Sequence, residues 1–234
     1  MEAEEYELMD AQEARMWWYR ALHARLLRAL DGVQGSVLDA GCGTGGFLSA
    51  LRQRAPRLHA VGLEYFAEAA RRAARKSAAP VACGSVNAMP FANASFDAAI
   101  GADILCHAAV EPAAALAELH RVLRPGGRLV INMPAYTWLM STHDRRVHNA
   151  RRQNAGEVRA MLRAGGFGDV HARYWNGLLL PLMIAGRKLR HHDSASDVAA
   201  FSPWLDASFH AVTRLERGLP LPFGGSVLAT AIRP

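Results

Sequence analysis

Three groups of residues in this chain have the type and spacing to do chemistry. The first is a glycine loop. In "SVLDAGCGTGGFLSAL", residues 36–51, Gly41, Gly43 and Gly46 spell G-x-G-x-x-G after a short apolar run, and Gly45 adds an extra glycine inside the pattern. Glycines let a backbone approach a ligand closely and adopt turns that other residues resist. The second group is acidic: Asp39 stands two residues before the loop, and Glu64 closes the next apolar run. The third carries protons: His107 lies in "DILCHA", and His143 with Asp144 in "STHDRR". An imidazole accepts a proton near neutral pH, and a neighbouring carboxylate can orient it.

The acid beside the loop narrows the ligand. A glycine loop opening a helix often faces a dinucleotide pyrophosphate with its amides and the helix dipole. Asp39 would repel those phosphates. It suits a nucleoside that carries cations instead, where it can order the loop or hold an ammonium through water. Glu64 fits either ligand, because dinucleotide folds also place an acid on the ribose.

These residues need a scaffold, and the chain alternates accordingly. From Ser36 the runs "SVLDAG", "LHAVGLEY", "PVACGS", "FDAAIGADIL" and "RLVINMP" are separated by helical stretches, a pattern of βαβ units on a parallel sheet. One helix is expected over about Glu111 to Leu123, stopped by Pro125-Gly126-Gly127, and another over Gly156 to Ala164 before "DVHARYW". Residues 5–30 carry apolar positions at helical spacing, including Trp17, Leu22 and Leu26. The single domain then divides into an N-terminal helical lid (1–33), a ligand-binding core (34–176), a helical insertion (177–217) and a C-terminal strand (218–234). Pro181 should kink or shorten any helix in "LLLPLMIA".

Composition excludes several classes. No apolar run is long enough to span a bilayer, and the acidic start "MEAEEYELMD" is unlike a secretory or transit signal. Cys42, Cys83 and Cys106 lack metal-ligand spacing and fit reduced thiols in a cytoplasm. The formal charge of +6 comes from scattered arginines, with Lys76 and Lys188 the only lysines, so nucleic acid is disfavoured as a partner. His191, His192 and Asp193 have metal-ligand types but no convincing spacing, and no metal is expected.

Four blocks occur in order: "VLDAGCGTG", "VGLEY", "GSVNAMPFANASFDAAI" and "RVLRPGGRLVINMP". Together they resemble the class I S-adenosylmethionine-dependent methyltransferases. "WWYR" and "PAYTWLMSTHDR" extend the likeness to the bacterial small-molecule branch. The resemblance implies a doubly wound, Rossmann-like α/β fold with a seven-stranded sheet whose last strand is antiparallel. It implies that Asp39, Gly41, Cys42, Gly43 and Gly45 line the methionine and ribose of S-adenosylmethionine, with Glu64 on the ribose hydroxyls. Tyr65 would pack on the adenine, Ser85 and Val86 would sit at its edge, and Asp103 and Ile104 would border the methyl-donor end. Tyr19 and Arg20 resemble a lid, with Arg20 toward the cofactor carboxylate; the stretch from Trp17 to Tyr19 reads equally as a helix's buried stripe.

The chain departs from these relatives in places. They tend to show an acid where Cys106 stands, and a histidine pair where this chain has Asn149 and Ala150. No Pro-Cys pair and no Asn/Asp-Pro-Pro-aromatic box follows the fourth strand, which argues against base methylation in DNA. The implied reaction is methyl transfer to a small-molecule acceptor, with His143, His107 and Asp144 as catalytic candidates. "LLLPLMIA" reads first as a core or dimer-forming helix covering the sheet edge; the second reading, with nearby aromatics, is a lid over an aromatic or lipophilic acceptor, with peripheral membrane contact through "GRKLRHH". A monomer or a homodimer is expected. The alternatives are a non-methylating cyclase or rearrangement enzyme that uses the same cofactor, and a non-catalytic partner protein.

Overall fold

In the computed structural model, which describes residues 3–189 and 202–234, apolar runs buried on both sides form one sheet. Helices α1 (Ala3–Gln12) and α2 (Trp17–Ala29) precede β1 (Gly35–Ala40), α3 (Gly46–Arg54), β2 (Leu58–Glu64), α4 (Ala67–Ser77) and β3 (Val81–Cys83). Then come β4 (Phe96–Ala102), α5 (Pro112–Val122), β5 (Leu123–Pro134), the short α6 (Thr142–Arg146), α7 (Ala155–Ala164) and β6 (Gly168–Trp175). Helices α8 (Leu180–Leu189) and α9 (Pro203–Leu215) lead to β7 (Ser226–Ile232).

The sheet order is β3-β2-β1-β4-β5-β7-β6, with β7 antiparallel to both neighbours. The order reverses between β1 and β4, which puts a ligand crevice at their carboxyl ends. Alternating side chains divide the core. Val37, Ile100 and Val130 pack with Leu22 and Leu26 of α2 and Leu48 and Leu51 of α3, while Leu38, Ala99 and Ile131 pack with Leu119 of α5 and Leu162 of α7.

Local chemistry accounts for the boundaries. Pro112 opens α5 at a position where its missing N–H costs nothing, and Asn154 with Glu157 forms a capping box on α7. Pro181 lies in the first turn of α8, so the helix begins there instead of kinking. The expected stop at Pro125-Gly127 becomes an irregularity within β5: Phe96 pairs with Leu123, but Ala98 already pairs with Arg128.

The single helical pattern over residues 5–30 is two helices. Met16 is extended (φ −63°, ψ 134°), and the chain turns at Glu13 so that this acid faces the glycine loop. No helix among the described residues is long and apolar enough to cross a membrane. Among them, too, no group of three acidic, histidine or cysteine side chains is arranged to hold a metal ion. His191, His192 and Asp193 lie outside the described residues.

Candidate functional site

The loop after β1 is built by left-handed glycines. Gly41, Gly43 and Gly45 have φ of +76°, +54° and +89°. A side chain on Gly41 would collide with Ile104 Cγ2, and one on Gly45 would come within 2.6 Å of the Ala73 backbone. The amides of Gly41 and Cys42 both donate to the Leu63 carbonyl, at 2.8 and 3.0 Å, which joins the loop to the end of β2. One residue later Glu64 faces back: its Oε2 accepts from the Gly43 amide at 2.9 Å and its Oε1 from the Phe66 amide at 3.1 Å.

Helix α1 lies over this loop. The Tyr6 hydroxyl donates to Glu64 Oε1 at 3.1 Å, and Met9 Cε lies 2.8 Å from where a Gly43 side chain would begin. Glu13 is buried and accepts from Thr44 Oγ1 at 2.8 Å, while Lys76 joins Asp10 and Glu13 at the rim. Burial raises the Glu13 carboxyl, although Lys76 and Thr44 oppose the shift.

Asp39 completes the cluster. Only 2% exposed, it is pushed up to about 8, first by burial and then by Glu13 and Glu64. Its Oδ2 is buried without a hydrogen-bond partner. A buried, unpartnered carboxyl group held protonated by burial and two further acids would ionise beside a cation and not beside a pyrophosphate, which suits an ammonium. The residues present therefore fit the positively charged end of S-adenosylmethionine.

The other residues expected at the cofactor divide. Tyr65 exposes its ring beside Glu64 and meets Phe66 edge-on at 5.2 Å. Ser85 Oγ accepts from the Asn87 amide at 3.1 Å, which occupies it locally, and Val86 is buried in the core. Cys42 is buried, and burial raises its thiol. Beyond β4, Ile104 packs under Gly41, and Asp103 takes the left-handed conformation at φ +55°.

Tyr19 and Arg20 are placed differently from the expectation. Arg20 donates to Asp206 Oδ2 at 3.1 Å and lies 2.8 Å from His210 Nδ1, so it faces α9 and not the loop. Tyr19 contacts Trp18 and His23 on its own helix. Of the two readings of this stretch, the buried stripe describes α2: Trp17, Ala21, Leu22 and Leu26 face the core.

The catalytic candidates also separate. Asp144 is fully buried, and both its oxygens accept from Arg152, at 2.8 to 3.0 Å. Burial would raise its carboxyl, but Arg152 and Ser141 outweigh that and hold it below the usual range. It anchors α6 through a capping box with Ser141, a structural task that takes it away from His143. His143 keeps a buried Nδ1 without a hydrogen-bond partner. His107 is lowered to about 4 by burial, with His148 adding to the shift, and is a weak proton acceptor at neutral pH. Cys106 is fully buried, donating to the Asp103 carbonyl at 2.9 Å and Asn149 Oδ1 at 3.1 Å.

Sequence reasoning missed Tyr6, Met9 and Glu13, which spacing alone does not tie to the loop. It also passed over Asn132, although a polar residue in the apolar run "RLVINMP" was a visible signal.

Comparison with known proteins finds relatives of part of this chain. Residues 38–131 match the family model described as a methyltransferase domain. An uncharacterized 37.1 kDa protein in transposon TN4556 of Streptomyces fradiae is 39% identical over 121 residues, 49% of this chain and 35% of that protein. The 24-methylenesterol C-methyltransferase 2 of Oryza sativa subsp. japonica is 36% identical over 126 residues, 51% of this chain and 32% of its own. The chain thus spans about a third of the length of these relatives. Among solved structures, a geranyl diphosphate methyltransferase in complex with GPP and sinefungin superposes with a TM-score of 0.63 at 20% identity, over 92% of this chain and 79% of that one. That likeness concerns the fold. Residues 38–131 thus resemble a methyltransferase domain, and the glycine loop with its acids lies inside that match, on a sheet of the same fold.

Proposed function

We infer that this protein transfers the methyl group of S-adenosylmethionine to a small-molecule acceptor. The observation that carries this reading is the unpartnered, buried Asp39 oxygen beside a left-handed glycine loop whose Gly43 amide binds Glu64. Asp39 would hold the amino-acid end, Glu64 the ribose and Tyr65 the adenine, with the glycines of the loop letting the ligand approach closely. The bound cofactor supplies a methyl carbon activated by its positive sulfur. The chain's own part is to fix that carbon against the acceptor and keep water out, and alignment of this kind supplies much of the rate.

An aromatic or lipophilic acceptor is supported by the sheet's carboxyl edge after β5. There Trp138 is exposed and stacks on Tyr136 at 5.5 Å, and Tyr136 stacks on Tyr174 at 5.4 Å. Leu178, Leu182 and Phe223 are exposed on the loops and helix around β7. His143, with its unpartnered ring nitrogen, is the histidine best suited to touch the acceptor. A cytoplasmic setting, as monomer or homodimer, fits the free thiols of Cys42, Cys83 and Cys106.

The test is incubation with S-adenosylmethionine labelled in its methyl group and a panel of isoprenoid, sterol-like, quinol and acyl acceptors. Label entering the organic extract together with S-adenosylhomocysteine is the expected result. Products that form without S-adenosylhomocysteine would instead favour the cyclase alternative.

A further inference from the structure

At the carboxyl tip of β4 a polar chain crosses a region that is otherwise apolar. The Trp175 indole N–H donates to Asn132 Oδ1 at 2.8 Å, and Asn132 Nδ2 donates to Asp103 Oδ1 at 2.8 Å. Asn132 is fully buried and Trp175 nearly so. The indole can only donate, so it fixes which way the Asn132 amide points. The oxygen must face Trp175, and the nitrogen must face Asp103.

Two further features mark Asp103. It holds φ +55°, a conformation that costs a non-glycine residue energy and that clusters at functional sites. Its neighbour Ile104 packs under Gly41, so the tip of β4 is tied to the first glycine of the loop. The surplus polar chemistry of β4 and β5 therefore converges at the switch point of the sheet, where ligands bind.

We propose that Asp103 faces the methyl-donor end of the bound cofactor and takes up the proton an acceptor releases, and that Asn132 and Trp175 position its carboxyl group. This rests on the methyltransferase reading above. As the acceptor atom bonds to the methyl carbon, the carbon–sulfur bond breaks and sulfur keeps the electron pair. The acceptor's proton passes to Asp103 Oδ2, because Oδ1 is held by Asn132. Asp103 can both gain and lose that proton near neutral pH. Burial pushes it up to about 7, Asn132 and Arg152 pull it down, and Asp144 raises it slightly. The Cys106 thiol, which donates to the Asp103 carbonyl, is itself raised by burial and stays neutral.

The test needs no acceptor. Sinefungin carries a protonated amine where the donor carries its methyl group, and S-adenosylhomocysteine carries nothing there. Calorimetric titrations of the wild-type protein with both ligands at pH 6 and pH 8 should show sinefungin favoured roughly tenfold at pH 8 and clearly less at pH 6. Asp103→Asn should abolish the preference at both values while S-adenosylhomocysteine still binds. Trp175→Phe keeps an aromatic ring but removes the indole N–H and lets the Asn132 amide turn, so the preference should appear only at higher pH, a shift that a purely structural role would not produce. Equal preference in wild type and Asp103→Asn, with both ligands bound, would overturn the proposal and leave the methyltransferase reading standing. Failure of both ligands to bind the wild type would overturn the proposal and the methyltransferase reading together.

Discussion

The hydroxyl of Tyr6 and the carboxylate of Glu64 meet at 3.1 Å across 58 positions of sequence. Through this contact the N-terminal helix occupies the acid we propose for the ribose. Burial is the main cause that raises the Tyr6 phenol, and the Glu64 charge adds to it, so the hydroxyl stays a donor. On that proposal the helix and the ribose hydroxyls would compete for one carboxylate. Tyr6→Phe removes a competitor without opening the core, and S-adenosylhomocysteine should bind about fivefold more tightly, on the scale of one hydrogen bond to a charged group partly screened by water. Calorimetry reads this directly; weaker binding would mean that Tyr6 holds the ligand and does not displace it.

Asp39 gives a pH signature. Its folded pKa of about 8 lies above the ordinary 3.8, so folding favours the protonated form. The ligand-free protein should be most stable below about pH 4 with respect to this group, and should lose that contribution as pH rises toward 8. Asp39→Asn should flatten this slope in thermal melts between pH 5 and 8. It should also weaken S-adenosylhomocysteine binding about tenfold, because the amide cannot attract an ammonium as a carboxylate does.

Asp144 carries the opposite sign. Its folded pKa is depressed, so the Arg152 pair stabilises above the unfolded value near 4 and is lost as pH falls further. Asp144→Asn leaves Arg152 buried and unpaired and should cost about 3 kcal/mol at neutral pH. Cofactor affinity should change less than twofold, since the pair lies outside the glycine loop. A Tm that stays within a degree of wild type would contradict the structural role assigned to this acid.

Glu216 links the N-terminal helices to the insertion. Its carboxylate accepts from Arg25 at 2.8 Å, from Gly177 at 3.0 Å, from Leu178 at 3.3 Å and from the Asn176 amide, and Arg25 also lies 4.5 Å over the Trp175 ring. Glu216→Ala strands a buried guanidinium and three amides. It should lower stability by about 3 to 5 kcal/mol, which for a chain of this size is a Tm loss of roughly 6 to 20 °C. Differential scanning fluorimetry is sufficient to measure it.

The parts of this molecule legible in its sequence were those set by local physics. Alternating apolar runs, the glycines at 41, 43 and 45, and the helix over Gly156 to Ala164 carry their structural meaning within a few residues. What was not legible depends on distance. Arg20 looked like a lid residue because nothing nearby competes for it, yet its partner Asp206 lies 186 positions away. Asp144 looked like the partner of His143, but adjacent side chains on a short helix point apart, and Arg152 captured it from eight residues on. Tyr6 and Glu13 acquire their roles only because the chain breaks at Met16 and folds α1 back over the loop.

The most direct measurement is calorimetric titration of the wild-type protein and Glu64→Ala with S-adenosylhomocysteine, with a nicotinamide dinucleotide as the contrasting ligand. The expected result is micromolar binding of S-adenosylhomocysteine, weakened at least tenfold by Glu64→Ala, and no binding of the dinucleotide. Binding of the dinucleotide, or of neither ligand, would contradict the assignment of the glycine loop and its acids to S-adenosylmethionine.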